Sequence, residues 1–149
     1  MTPDFRDYLR GDAEACLALF DANCPRFFAP RERADYAAYL DRVSAYRVCM
    51  TDGVVSGAFG VAPGLPGRAD LNWILIDPAL HGVGIGRAMM LAAMADAHGR
   101  GATALDIAAS QHSAPFFARF GARELSHVPD GWGPGMHRID MVLEITLPG

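Results

Sequence analysis

The sequence predicts an α/β (α+β) domain on a mixed central sheet, with element order β-α-α-β-β-β-α-β-α-β-β. Three observations predict it. Short apolar and β-branched blocks in the first half are joined by hairpin signals. Helical periodicity fills the gaps between such blocks in the second half. The 149 residues suit a single domain, residues 1–149, whose core buries roughly 70% of the unfolded surface.

Each element has a local reason. Phe5 to Leu9 is short and extended. Asp12 is placed to cap a helix running to about Asn23, with Leu17 and Phe20 on one face. Cys24-Pro25 ends it, because the residue before proline avoids helical backbone. Pro30 suits the first position of a second helix, where a missing N–H costs nothing. There Tyr36, Tyr39, Leu40 and Val43 recur at i, i+3, i+4 and i+7 as one apolar stripe.

The period then changes. Tyr46–Met50 and Val54–Val61 read as strands around Asp52-Gly53, a turn that needs positive φ. A loop, Pro63–Gly67, leads to Leu71–Ile76, whose near-continuous apolar run predicts burial on both faces. Asp77–Gly86 is a turn-rich loop. The Ala- and Met-rich helix after it runs to about His98 and is stopped by Gly99 and Gly101. Thr103–Ala108 is a strand and Ser113–Phe120 a short helix closed by Gly121. Arg123–His127 and Arg138–Ile145 form a last strand pair, with Pro129–Gly135 a long flexible loop between them.

Composition narrows the function. The net charge is −4 and all 13 basic residues are arginine, so no broad basic face for nucleic acid is expected. The longest apolar segment, Ala88–Ala95, is far short of the roughly 20 residues a membrane span needs. Cys16, Cys24 and Cys49 are odd in number and form no C-x-x-C pair. A disulfide framework is not expected, no signal peptide is recognisable, and a cytoplasmic setting follows. No metal site is predicted.

The sharpest local feature is His81-Gly82-Val83-Gly84-Ile85-Gly86-Arg87, between a strand and a helix. Alternate glycines let the backbone approach a ligand. Their N–H groups and the helix N-terminus make a partial positive site for a phosphate or pyrophosphate, to which Arg87 adds charge. The plain alternative is a glycine-rich connection with no ligand. A P-loop requires lysine, and the chain has none. In the dinucleotide pattern the sixth position is Arg87 or Met89, where Gly or Ala is needed. Asp106 on the next strand, placed like a ribose-binding acid, keeps that reading open.

A third pattern fits better. Ile76-Asp77-Pro78 followed by His81-x-x-Gly84-x-Gly86 resembles motif A of the GNAT superfamily of N-acetyltransferases, with His81 where Arg or Gln is usual. Ala109–Phe117, closing at Phe120-Gly121-Ala122, resembles motif B, with Phe117 where Tyr is usual. The order of elements matches as well. The resemblance implies two central strands splayed into a V, with acetyl-CoA between them. It implies direct transfer of acetyl to a primary amine of a small molecule or peptide.

The resemblance also implies site residues. His81, Gly82, Val83, Gly84, Ile85, Gly86 and Arg87 would hold the pyrophosphate, and the backbone at Ile74 and Ile76 the pantetheine arm. Ser110, Ser113, Phe116 and Phe117 would flank the thioester end. Asp70 is the expected general base, with Asn72 orienting water or substrate and His112 a second candidate. Phe117 cannot protonate the departing thiolate, so water, Ser110 or Ser113 would. Phe28, Tyr36, Trp132 and His137 are expected on the substrate side, with Trp132 as a lid residue. Phe27, Tyr39 and Asp140 are lesser candidates there; core packing of the second helix is the simpler account of Phe27, Phe28, Tyr36 and Tyr39, and an outward strand position that of Asp140. Two alternatives stay open: a CoA-binding sensor module and a dinucleotide-binding protein. A homodimer is compatible with this reading.

Overall fold

The computed structural model describes residues 2–43 and 45–145. Its elements are β1 (Asp4–Asp7), α1 (Ala13–Ala22), α2 (Glu32–Arg42), β2 (Arg47–Thr51), β3 (Val54–Pro63) and β4 (Arg68–Ile76). There follow α3 (Ile85–Gly99), β5 (Ala104–Ala109), α4 (Ala114–Ala118), β6 (Arg123–Gly133) and β7 (Met136–Glu144). The order matches the sequence expectation. The seven strands form one sheet, β1-β2-β3-β4-β5-β7-β6, antiparallel except at β4–β5.

The two faces carry separate cores. On one face Met89, Met90, Ala93 and Ala97 of α3 pack on Phe59, Leu71, Leu105 and Met141. On the other, Phe20 of α1 and Tyr36 and Leu40 of α2 pack on Val48, Ala58 and Leu75. Neighbours such as Val48 and Cys49, or Ala58 and Phe59, go to opposite cores, as strand alternation requires.

Three details differ from the sequence expectation. Asp12 does not cap α1 with its side chain; it accepts the Leu9 N–H at 2.8 Å and pairs with Arg6 at 2.7 Å. The loop before β4 is shorter than expected, because β3 runs to Pro63 and β4 starts at Arg68. Pro129–Gly135 is no long flexible loop. β6 continues through it to Gly133, and its register slips against β7 between Val128 and Gly133. Dense Gly and Pro there mark a strand irregularity.

β4 and β5 are paired only from Arg68↔Ala104 to Leu71↔Ile107. Beyond that they splay. β4 is also bulged: Gly60 opposes Asn72 and Ala58 opposes Leu75, so Phe59 faces two residues, Trp73 and Ile74. Trp73 has φ 45°, unusual for a bulky side chain. The extra residue resets the alternation. Ala69 and Leu71 belong to the α3-side core before the bulge, and Ile74 and Ile76 pack against it afterwards.

Candidate active site

The splay opens a cleft of about 940 Å³. Its walls are β4 from Leu71 to Ile76, the end of β5, the loop into α3, α4 and the segment between α1 and α2. Past Leu71, the edge of β4 that faced β5 has no ladder partner in that pairing, which opens that edge to the cleft.

The glycine loop forms one end. Gly82 and Gly84 have φ 85° and 90°, and a Cβ at either would meet nothing within 4 Å. The backbone conformation, not crowding, demands glycine there. Gly84 is the N-cap of α3, and the first intrahelical bond runs from Ala88 N to its carbonyl at 3.1 Å. The N–H groups of Ile85, Gly86 and Arg87 therefore have no acceptor within the helix. Such a nest suits an anion, and its residues fit a pyrophosphate. Ile85 contributes backbone only, since its side chain is buried in the core. Gly86 has a different reason: a Cβ there would lie 2.8 Å from the Phe116 ring. His81 is exposed and meets Phe27 edge-on, ring centroids 5.7 Å apart.

Behind β4, side chains fix the strand. Asn23, buried, donates from Nδ2 to the Ile76 carbonyl at 3.0 Å and to Leu19 at 2.8 Å. Tyr46 donates to the Trp73 carbonyl at 2.6 Å, and the Tyr36 and Tyr46 hydroxyls are 2.9 Å apart. With the Tyr46 proton directed to Trp73, Tyr36 is the donor in that pair. Burial pushes both phenols well above the usual tyrosine value, so they stay neutral donors. Tyr36 is 0% exposed and absent from the cleft walls, so the structure places it in the core rather than against a substrate. Its ring lies 4.8 Å from that of Trp73.

The other sequence-named residues divide. Asn72, His112, Ser110, Ser113, Phe116, Phe117, Phe28 and Trp132 line the cleft. Phe117 is only 3% exposed and belongs mainly to the core. Ser110 Oγ accepts from Ser113 N and His112 N at 3.3 and 3.2 Å, while Ser113 Oγ accepts from Ser110 N at 3.0 Å. Trp132 is no free lid: its Nε1 donates to Ala109 at 2.9 Å and its carbonyl accepts from Arg31 Nε at 2.7 Å.

Asp70 and His137 lie outside the lining. Asp70 sits in the paired stretch of β4 opposite Asp106. Burial and the Asp106 carboxylate raise its pKa. Asp106 itself pairs with Arg68 below the cleft, which removes it from any ribose. His137 Nδ1 accepts from Asp130 N at 3.0 Å on the β6–β7 hairpin. Asp140 faces outward, bound by Ser126 and Arg138. Burial pushes the Cys16 and Cys49 thiols up to about 11, so neither is a nucleophile.

Sequence reasoning missed Asn23 and Glu32, which also line the cleft. Glu32 is 7% exposed, and one of its oxygens, Oε2, accepts the Ala29 N–H at 2.7 Å. Glu32 N in turn donates to the Ala29 carbonyl at 2.9 Å, closing a backbone turn at the entry to α2. The available signal was Pro30 with Glu two residues on, a helix-start pattern that says nothing about burial.

Comparison with known proteins agrees with this geometry. A search of curated proteins finds no match. Among solved structures, a protein from Desulfovibrio desulfuricans assigned to the GNAT acetyltransferases is 24% identical, with TM-score 0.78, covering 97% of this chain and 100% of that one. The ribosomal-protein-S18-alanine N-acetyltransferase of Escherichia coli is 17% identical, with TM-score 0.77, covering 99% and 97%. An aminoglycoside 6'-N-acetyltransferase complexed with coenzyme A is 12% identical, with TM-score 0.77, covering 100% and 99%. At such identities these likenesses concern the fold. The sequence profile of the acetyltransferase (GNAT) family matches residues 16–122, most of the chain and both glycine-loop and β5–α4 segments, and the chain belongs to that family.

Proposed function

We propose that the chain, acting as a single unit, is an N-acetyltransferase that moves acetyl from acetyl-CoA to a primary amine by direct attack. One observation carries this reading: the left-handed Gly82–Gly84 turn at the start of α3 opens onto the same cleft as the unpaired edge of β4. When bound, acetyl-CoA supplies the acetyl group as a thioester.

The chain's residues do the rest. N–H groups from Gly82 to Arg87, with the Arg87 guanidinium, hold the pyrophosphate. The backbone at Ile74 and Ile76 would pair with the pantetheine arm, the Ile76 carbonyl being shared with Asn23, and Phe116 lines the cleft with them. The bulge at Trp73 fixes which backbone groups face the thioester carbonyl. An amine with a pKa of about 10.4 arrives protonated and must lose its proton. Asp70 takes it through water held at Asn72, since one strand repeat of roughly 7 Å separates the two residues. His112, exposed at the β5 side of the cleft, is the second candidate to take that proton. Ser110, whose oxygen is already held by two N–H donors, keeps its own O–H free to hydrogen-bond the leaving thiolate, which takes its proton from water. The help required is small, because a thiol pKa of about 8.5 makes the thiolate a fair leaving group.

A CoA-binding module with little turnover is the second reading. The absence of a phenol at Phe117 favours it. Thermal shift with acetyl-CoA and with NAD, followed by thiol release with a panel of amines, separates these. Stabilisation by acetyl-CoA together with amine-dependent thiol release supports the enzyme. Stabilisation without release supports the module. Stabilisation by NAD alone contradicts both.

A further inference from the structure

Glu32 is a buried carboxyl that forms no salt bridge among the described residues, the adjacent Arg31 giving its Nε to the Trp132 carbonyl instead. Among the described residues, two acidic side chains are buried, Asp12 and Glu32. Asp12 is paired with Arg6, whereas Glu32 makes no salt bridge and uses one oxygen on Ala29 N. Oε1 accepts no hydrogen bond from the described side chains or backbone and is not sealed from the cleft. Burying a carboxylate in this way is costly unless a partner arrives. Glu32 is also the one carboxylate in the cleft lining among the described residues.

Aromatic side chains share the cleft with it. Phe28 stacks on Trp73 with ring centroids 6.0 Å apart, and both line the cleft. Trp132 closes the same end, because Arg31 next to Glu32 holds its carbonyl and Ala29 packs beside Gly133. The cleft's arginines lie elsewhere. Arg87 is in the first turn of α3, Arg119 follows α4, and Arg26 covers Phe27, which packs on His81. The cleft is thus divided into a basic end suited to an anion and an end with a carboxylate and aromatic rings.

We propose that this end takes the acceptor as an alkyl- or arylalkylammonium ion, its nitrogen paired with Glu32 and its apolar body against Phe28, Trp73 and Trp132. The proposal rests on the acetyltransferase reading and names the acceptor class for it. An α-amino acid fits poorly, because its own carboxylate would sit beside Glu32. An aromatic wall adds cation–π attraction for the same charge.

The test is calorimetric titration of the CoA-saturated protein with 2-phenylethylamine, 2-phenylethanol and phenylalanine. Glu32→Gln is the matched variant, since its amide oxygen can still accept from Ala29 N. The amine is expected to bind at least tenfold tighter than the alcohol or the amino acid. Glu32→Gln should erase that preference without changing CoA affinity. Equal binding of amine and alcohol, or a preference that survives in Glu32→Gln, overturns the proposal. Failure of the wild type to bind CoA would instead overturn the acetyltransferase reading, and the titration is then read on the free protein.

Discussion

The hydroxyl of Tyr46 donates a 2.6 Å hydrogen bond to the carbonyl of Trp73, the residue at which β4 turns to φ 45°. A bulky residue in that region costs about 1–3 kcal/mol and persists only where its surroundings hold it. Here a buried phenol from the residue just before β2, itself bonded to Tyr36 of α2, reaches across to do so. The bulge and the core on the α1–α2 face are therefore one construction.

Tyr46→Phe keeps the ring and removes the bond. It should cost about 1–3 kcal/mol, since the Trp73 carbonyl loses its partner in a dry setting. Turnover should fall at least tenfold while acetyl-CoA affinity holds, because the glycine loop is untouched. Tyr36→Phe should cost less, because the Tyr46–Trp73 bond survives. Denaturant unfolding and steady-state kinetics on both variants check this. Equal losses in the two would contradict it.

Gly86→Ala should destabilise by about 1–3 kcal/mol through overpacking, since its Cβ would fall 2.8 Å from the Phe116 ring. Phe116→Leu should relieve it, so the double variant should be more stable than the sum of the single losses predicts. Additive losses in a double-mutant cycle would show that the contact is not the cause.

Two carboxylates should respond to pH with opposite signs. The pKa of Asp70 is raised by burial and by Asp106, so the folded protein holds that proton more tightly than the unfolded chain. Its contribution is favourable below the ordinary value of 3.8 and is lost as pH rises through the raised one. Asp70→Asn should therefore gain on the wild type as pH climbs past 3.8. Arg6 lowers the pKa of Asp12, so its contribution is present above 3.8 and is lost as pH falls through the lowered value. Asp12→Asn should be weakest at neutral pH and approach the wild type in acid. Thermal unfolding from pH 3 to 7 measures both, and parallel curves would contradict the assignment. In kinetics, wild-type rates for Asp70→Asn would remove it as the base.

What could be read from the sequence was local. Alternate glycines after a strand mark a turn because only glycine adopts φ near 90° easily, and Gly82 and Gly84 do so. Asp52-Gly53 marked its hairpin for the same reason. The rest depends on distant contacts. The bulge at Trp73 leaves no trace in a run of apolar residues, yet it decides which side chains reach the cleft. Asp70 and Asn72 are two residues apart on β4, but only Asn72 lies beyond the last β4–β5 pair. Tyr36 could be read as pocket or, more simply, as core; it is core, and the partner of its hydroxyl, Tyr46, lies ten residues on. Trp132 sits among glycines and prolines that mimic a mobile loop. Its indole bond to Ala109 could not be foreseen. Glu32 carried an ordinary helix-start pattern, and only the folded chain shows that it is buried and lines the cleft.

The affinity of acetyl-CoA for the wild type and for Gly84→Asp, measured by calorimetry, tests the central claim most directly. Aspartate would place a side chain at φ 90° and a negative charge where the pyrophosphate belongs. The wild type should bind tightly and the variant at least a hundredfold more weakly, with the variant still folded. Equal affinities in the two proteins would contradict it.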